Sequence, residues 1–131
     1  MRAQTISVTI AAPPECVYAY AANPANLPAW VPSFCLSVAE VDGKWIVQSP
    51  DGPVVFSFAP RNDFAVLDHQ VTLATGETFN NPMRVIANGG GSEVLFTLFQ
   101  TEGMTDVAFA ADAAQVRSDL ETLRRILEGS G

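Results

Sequence analysis

The chain has 131 residues and a mass of 14.0 kDa, which suits one domain of ~100–150 residues and leaves little for a second core. Hydrophobic residues make up 48% and charged residues only 16%, against ~25% charged in an average globular chain; this excludes a disordered chain and points to an apolar cavity or interface beyond one small core. Fourteen acidic against seven basic residues give a net charge of -7, which argues against a nucleic-acid partner, because phosphate binding needs a basic surface.

In chain order, Ile6, Val8 and Ile10 alternate with Thr5, Ser7 and Thr9, the period-2 signature of a strand with one buried face. Pro13-Pro14-Glu15 then predicts a helix start, since proline is tolerated in a first turn and an acidic side chain there favours the helix dipole. That helix runs over about 14–22; a further turn or two over 24–30 closes at Val31-Pro32. Six strand-like segments follow, at 34–41, 44–49, 54–59, 64–73, 78–87 and 93–100. They are separated by Asp42-Gly43, Pro50-Asp51-Gly52-Pro53, Pro60-Arg61-Asn62-Asp63, Thr75-Gly76-Glu77 and Asn88-Gly89-Gly90-Gly91, each short enough for an antiparallel hairpin. After Gly103 the period changes to 3.6. Phe109, Ala113, Val116, Leu120, Leu123 and Leu127 draw one apolar stripe along a helix that Gly129 stops. Arg117 with Glu121, and Glu121 with Arg125, are spaced as i,i+4 pairs. The expected fold class is α+β: a seven-stranded antiparallel sheet, two short helices after the first strand, and a long C-terminal helix that needs an apolar sheet face to cover.

No apolar run reaches the ~20 residues that span a bilayer, so the chain reads as soluble and cytoplasmic, without stable membrane insertion. Cys16 and Cys35 lack metal-site or disulfide spacing and read as reduced, packed thiols. His69 is the only histidine, which excludes a zinc site with several His ligands. With no phosphate loop, nucleophile elbow or metal-ligand cluster, no cofactor and no metal is implied.

The run Ile10-Ala11-Ala12-Pro13-Pro14-Glu15-Cys16-Val17-Tyr18, with Asn23-Pro24-Ala25-Asn26-Leu27-Pro28-Ala29-Trp30 after it, resembles the opening of the START-like, or SRPBCC, superfamily of polyketide cyclases, aromatases and lipid-transfer domains. Asp119-Leu120-Glu121-Thr122-Leu123-Arg124-Arg125-Ile126-Leu127-Glu128 is similar to that superfamily's closing helix. Residues 66–72, 82–85 and 92–98 look like a small bacterial branch labelled polyketide cyclase-like. The resemblance spans nearly all of residues 1–131 as one domain. It implies the helix-grip fold, with the sheet curled around the long helix and a cavity between them.

Alternation then sorts the side chains. A two-residue turn at Gly89-Gly90 sets Val94 opposite Val85, Phe96 opposite Met83 and Leu98 opposite Asn81. A four-residue loop at 60–63 pairs Phe58 with Ala65, Phe56 with Leu67 and Val54 with His69. The predicted cavity lining is therefore Trp30, Phe56, Phe58, His69, Asn81, Met83, Phe96 and Leu98, with Val116 and Leu120 from the helix stripe; Gln100 could join it. Trp30 either caps the cavity or anchors the two short helices. His69 is open between a hydrogen-bonded core residue, a ligand contact and a catalytic acid or base. Asp68 points outward, opposite Arg84 when the hairpin centres on Gly76; a one-residue slip would bring both inward as a catalytic pair.

Three functions remain open. The first is binding of an apolar or aromatic small molecule in the cavity. The second is a cyclase, aromatase or dehydrase acting through His69. The third is a protein-interaction module in which Val55, Phe64, Val66, Leu95 and Phe99 on the outer face could form a homodimer or partner surface.

Overall fold

The computed structural model describes residues 1–129. β1 (Ala3–Ile10) leads into α1 (Pro14–Ala21) and, after one 3-10 turn at Pro24–Asn26, into α2 (Leu27–Trp30). Then come β2 (Ser37–Val41), β3 (Lys44–Ser49), β4 (Gly52–Phe58), β5 (His69–Thr72), β6 (Thr78–Asn81), β7 (Met83–Asn88), β8 (Gly91–Phe99) and α3 (Asp106–Gly129). The first helix starts as its sequence requires: Pro13 occupies the cap, Pro14 the first turn, and the Cys16 and Val17 N–H groups donate to the Pro13 carbonyl.

The strands form two antiparallel sheets, β1-β8-β7 and β2-β3-β4-β5-β6, where one seven-stranded sheet was expected. Pro82 divides the predicted 78–87 strand, since a proline has no N–H to give to a ladder. β6 ends at Asn81 in the five-stranded sheet, and β7 begins at Met83 in the three-stranded one. The Pro82 carbonyl still accepts from the Thr97 N–H at 2.9 Å.

The predicted 64–73 strand is shortened to 69–72, and Asn62 supplies the cause. Its Oδ1 accepts from the Phe64 and Val66 N–H groups at 3.0 and 3.1 Å, and its Nδ2 donates to the Pro60 and Val66 carbonyls at 3.0 Å each. These bonds offer the backbone an alternative to the ladder, and Ala65 follows with a left-handed φ of 54°. The segment nonetheless ties the two sheets together. Leu67 N–H donates to the Met83 carbonyl and Val85 N–H to that of Ala65, while Ala59 N–H donates to the Asp68 carbonyl.

Two predicted registers change as a result. β4 and β5 pair Phe58 with His69 and Phe56 with Val71, a shift of four residues from expectation that leaves the same side chains on the same face because four is even. β5 and β6 pair His69 with Asn81, so Arg84 lies opposite Val66 and reaches Asp68 diagonally. Where the turn is a plain two-residue glycine hairpin, the register stands as read: Val85 faces Val94 and Met83 faces Phe96. Gly91 next to that turn has no room for a side chain, since a Cβ there would lie 2.6 Å from the Ile10 carbonyl oxygen.

α3 packs on β1, β8 and α2. Its stripe contributes Phe109, Ala113, Leu120 and Leu123 to the interior, joining Ile6, Ile10, Val17, Leu27, Val47, Leu67, Met83 and Val94. Thr105 caps the helix through Oγ1 to the Ala108 N–H at 3.1 Å. Among the described residues Arg124, and neither Arg117 nor Arg125, pairs with Glu121 and Glu128, at 2.8 Å each. Glu128 also accepts from the Ala11 N–H at 2.9 Å, which fastens the last turns of the helix to the exit of β1. On the outer face Phe64 is 81% exposed, whereas Val55, Val66, Leu95 and Phe99 are half-buried. Cys35 is packed as expected, but Cys16 is exposed.

Candidate ligand cavity

Four parts of the chain converge on one cavity of about 230 Å³. Leu27, Trp30, Val31 and Phe34 close it from the short-helix side; Phe56, Phe58, His69, Val71 and Asn81 come from the five-stranded sheet. Phe96 and Leu98 come from β8, and Asp112, Gln115, Val116, Asp119 and Leu120 from α3. Of the predicted lining, Met83 is absent: it is fully buried in the core, on the far side of the Pro82 break, where the face that holds Asn81 no longer continues. Gln100 is also elsewhere, its amide donating to the Met104 carbonyl and to Asp106.

His69 sits among rings. It stacks on Phe56 at 4.9 Å between centroids and meets Phe58 and Phe96 edge-on at 5.6 and 5.5 Å. Its Nδ1 lies 3.0 Å from the Leu67 carbonyl; a carbonyl only accepts, so Nδ1 carries the proton of the neutral ring and Nε2 keeps a lone pair. Burial brings the ring's pKa down to about 4, the Leu67 bond and the Asp68 charge offsetting only part of it. At neutral pH the ring is a hydrogen-bond acceptor and a weak base.

The other polar groups come from α3. Asp112, Gln115 and Asp119 are spaced three and four apart, so they form a ridge beside the apolar stripe. Asp112 and Gln115 are exposed, but Asp119 is buried, and its Oδ1 accepts from Gln115 Nε2 at 3.0 Å. Burial pushes the Asp119 carboxyl up to about 6. Trp30 is buried too, and its Nε1–H has no hydrogen-bond partner among the described residues. Asp68 and Arg84 are outside: the pair is exposed and joined twice, Nε to Oδ1 at 3.1 Å and Nη2 to Oδ2 at 2.8 Å, while Asp68 also accepts from the Met83 N–H. The Arg84 hydrogen bond holds the Asp68 carboxyl below its ordinary range. An exposed pair of this kind is worth at most about 1 kcal/mol, and here it stiffens the start of β7.

Asp112, Gln115 and Asp119 lie outside the predicted lining, which takes only the apolar stripe of α3. Their common spacing was the available signal. Leu27, Val31, Phe34 and Val71 also line the cavity, outside the predicted set. Among the described residues no group of three His, Cys, Asp or Glu side chains is placed to hold a metal ion, and no helix is long and apolar enough to cross a membrane.

No family model and no curated protein matches this sequence. Solved structures do match its fold. XoxI from Bacillus cereus aligns over 97% of this chain and 96% of its own with a TM-score of 0.76 at 18% identity. Ara h 8.0201 aligns over 96% and 97% with a TM-score of 0.74 at 16% identity. The Aha1 dimer from Colwellia psychrerythraea aligns over 98% and 97% with a TM-score of 0.77 at 16% identity. The chain therefore has the helix-grip fold: antiparallel sheet wrapped on a long C-terminal helix. At these identities the likeness reaches no further than the fold.

Proposed function

We propose that this chain is a single START-like domain that binds an apolar or aromatic small molecule between its sheets and α3. The observation that carries the reading is the cavity itself: walls of Trp30, Phe34, Phe56, Phe58 and Phe96 around a space that the chain's own side chains leave open. At about 230 Å³ it falls below the ~300–1,000 Å³ of sites for drug-sized ligands, which suits a ligand of one or two fused rings. The fold shared with the solved structures supports this reading. A cyclase or dehydrase acting through His69 draws less support, since burial brings the ring's pKa down to about 4, leaving it a weak base and, near pH 7, without the proton of a general acid. The neutral ring is suited to orienting a ligand's hydroxyl or N–H group.

The test is calorimetric titration with 1-naphthalenemethanol, alongside native mass spectrometry of the protein as purified. Binding near one to one is expected, abolished by Val116→Trp, which fills the cavity, and weakened in His69→Gln by no more than the ~0.5–1.5 kcal/mol of one hydrogen bond. Absence of binding, or binding indifferent to Val116→Trp, would overturn the proposal.

A further inference from the structure

We infer that the cavity's ligand carries a basic nitrogen, its ammonium group seated against Asp119 and its ring among Phe56, Phe58 and Phe96. This rests on the binding reading above and goes beyond it by assigning the ligand's charge.

Asp119 is 8% exposed, and among the described residues its hydrogen-bond partner is the neutral amide of Gln115. A buried carboxylate ordinarily faces an arginine or lysine, because leaving it without a countercharge is costly. No Lys or Arg lines this cavity. The charged side chains that do are Asp112 and Asp119, both acidic and on one ridge of α3; His69, the remaining titratable group on the walls, is neutral at physiological pH.

A second observation, independent of the acids, shows that the protein does not complete its own polar pairing here. Trp30, 4% exposed, lines the same cavity with an Nε1–H that nothing described accepts. Buried polar groups are nearly always satisfied, and Asp119 too is bonded, among the described residues, through Oδ1 alone, to Gln115. The cavity thus offers an acid and a lone pair on His69 Nε2, set in aromatic walls. Ring faces attract cations, and the net charge of -7 draws cations toward the protein from a distance. A carboxylate or phosphate ligand would meet two acidic side chains with no basic group in reach.

Three probes of one shape separate the possibilities: 1-naphthalenemethylamine, 1-naphthalenemethanol and 1-naphthoate, titrated into the full chain at pH 7.5. The amine is expected to bind at least about tenfold more tightly than the alcohol, the scale of one charge-assisted hydrogen bond, and the carboxylate most weakly. In Asp119→Asn the amine should fall to the level of the alcohol, whose own affinity stays within about twofold. If the alcohol binds the natural chain as tightly as the amine, or the amine keeps its advantage in Asp119→Asn, the inference is wrong while the binding reading stands. If none of the three binds, both fall. The comparison within the natural chain decides the matter even where Asp119→Asn does not fold.

Discussion

Two cavity residues, His69 and Asp119, titrate against each other in their effect on stability. His69 has a folded pKa of about 4, below the ~6.5 of an unfolded chain, so the unfolded state takes up the proton first. Its contribution is complete above pH 6.5 and is lost as the pH falls toward 4, up to about 3 kcal/mol at ~1.4 kcal/mol per unit. Asp119 runs the other way. Its carboxyl, raised to about 6 from an ordinary ~3.9, holds a proton longer when folded, so stability falls as the pH rises from 4 to 6. Urea unfolding at pH 4.5, 5.5 and 6.5 should therefore give Asp119→Asn a stability that climbs across this range and His69→Phe one that declines, with the natural chain between. Slopes of the same sign in the two variants would show that one of these buried groups is assigned the wrong environment. His69 was legible from alternation because a register error of four residues preserves parity; Asp119 was not, because a carboxylate beside an apolar stripe reads by default as a solvated face.

At the scale of elements, two residues explain most of the distance between the strands expected and those found. Pro82 splits the predicted 78–87 strand by lacking one hydrogen, and the split separates Asn81 in the cavity from Met83 in the core, although the two share parity. Asn62 shortens the neighbouring strand by binding four backbone groups of the 60–66 loop, and the loop is pinned further by the Asn62 N–H donating to the Tyr18 hydroxyl at 3.1 Å. Hairpins with Asp-Gly or glycine turns were readable because the turn geometry fixes the register; a loop organised by one side chain was not, because its bonds span four residues with no repeating pattern. Asn62→Ala should cost about 1–3 kcal/mol by leaving part-buried backbone groups unpaired, measured by thermal or urea unfolding. A loss below about 0.5 kcal/mol would mean that water replaces the side chain without cost.

For the whole molecule, element order and periodicity were enough to reach a helix gripped by antiparallel strands, since an amphipathic helix of this length has only one kind of surface to cover. The volume left inside was not readable, because it depends on how far the divided sheet curls and where α3 lies across it. That helix is held at both ends. At its start Gln100 bonds Asp106, Thr105 caps the first turn and the Arg2 guanidinium lies 5.0 Å over the Phe109 ring; at its finish the Arg124 and Glu128 clasp reaches Ala11. Between these supports, Asp112 to Leu120 lie over the cavity. The helix is fixed at its ends and borders open space along part of its middle turns, so its amides near Gln115 and Val116 should exchange with deuterium faster than those near Leu123. Occupying the cavity should slow the centre and leave the ends as they were.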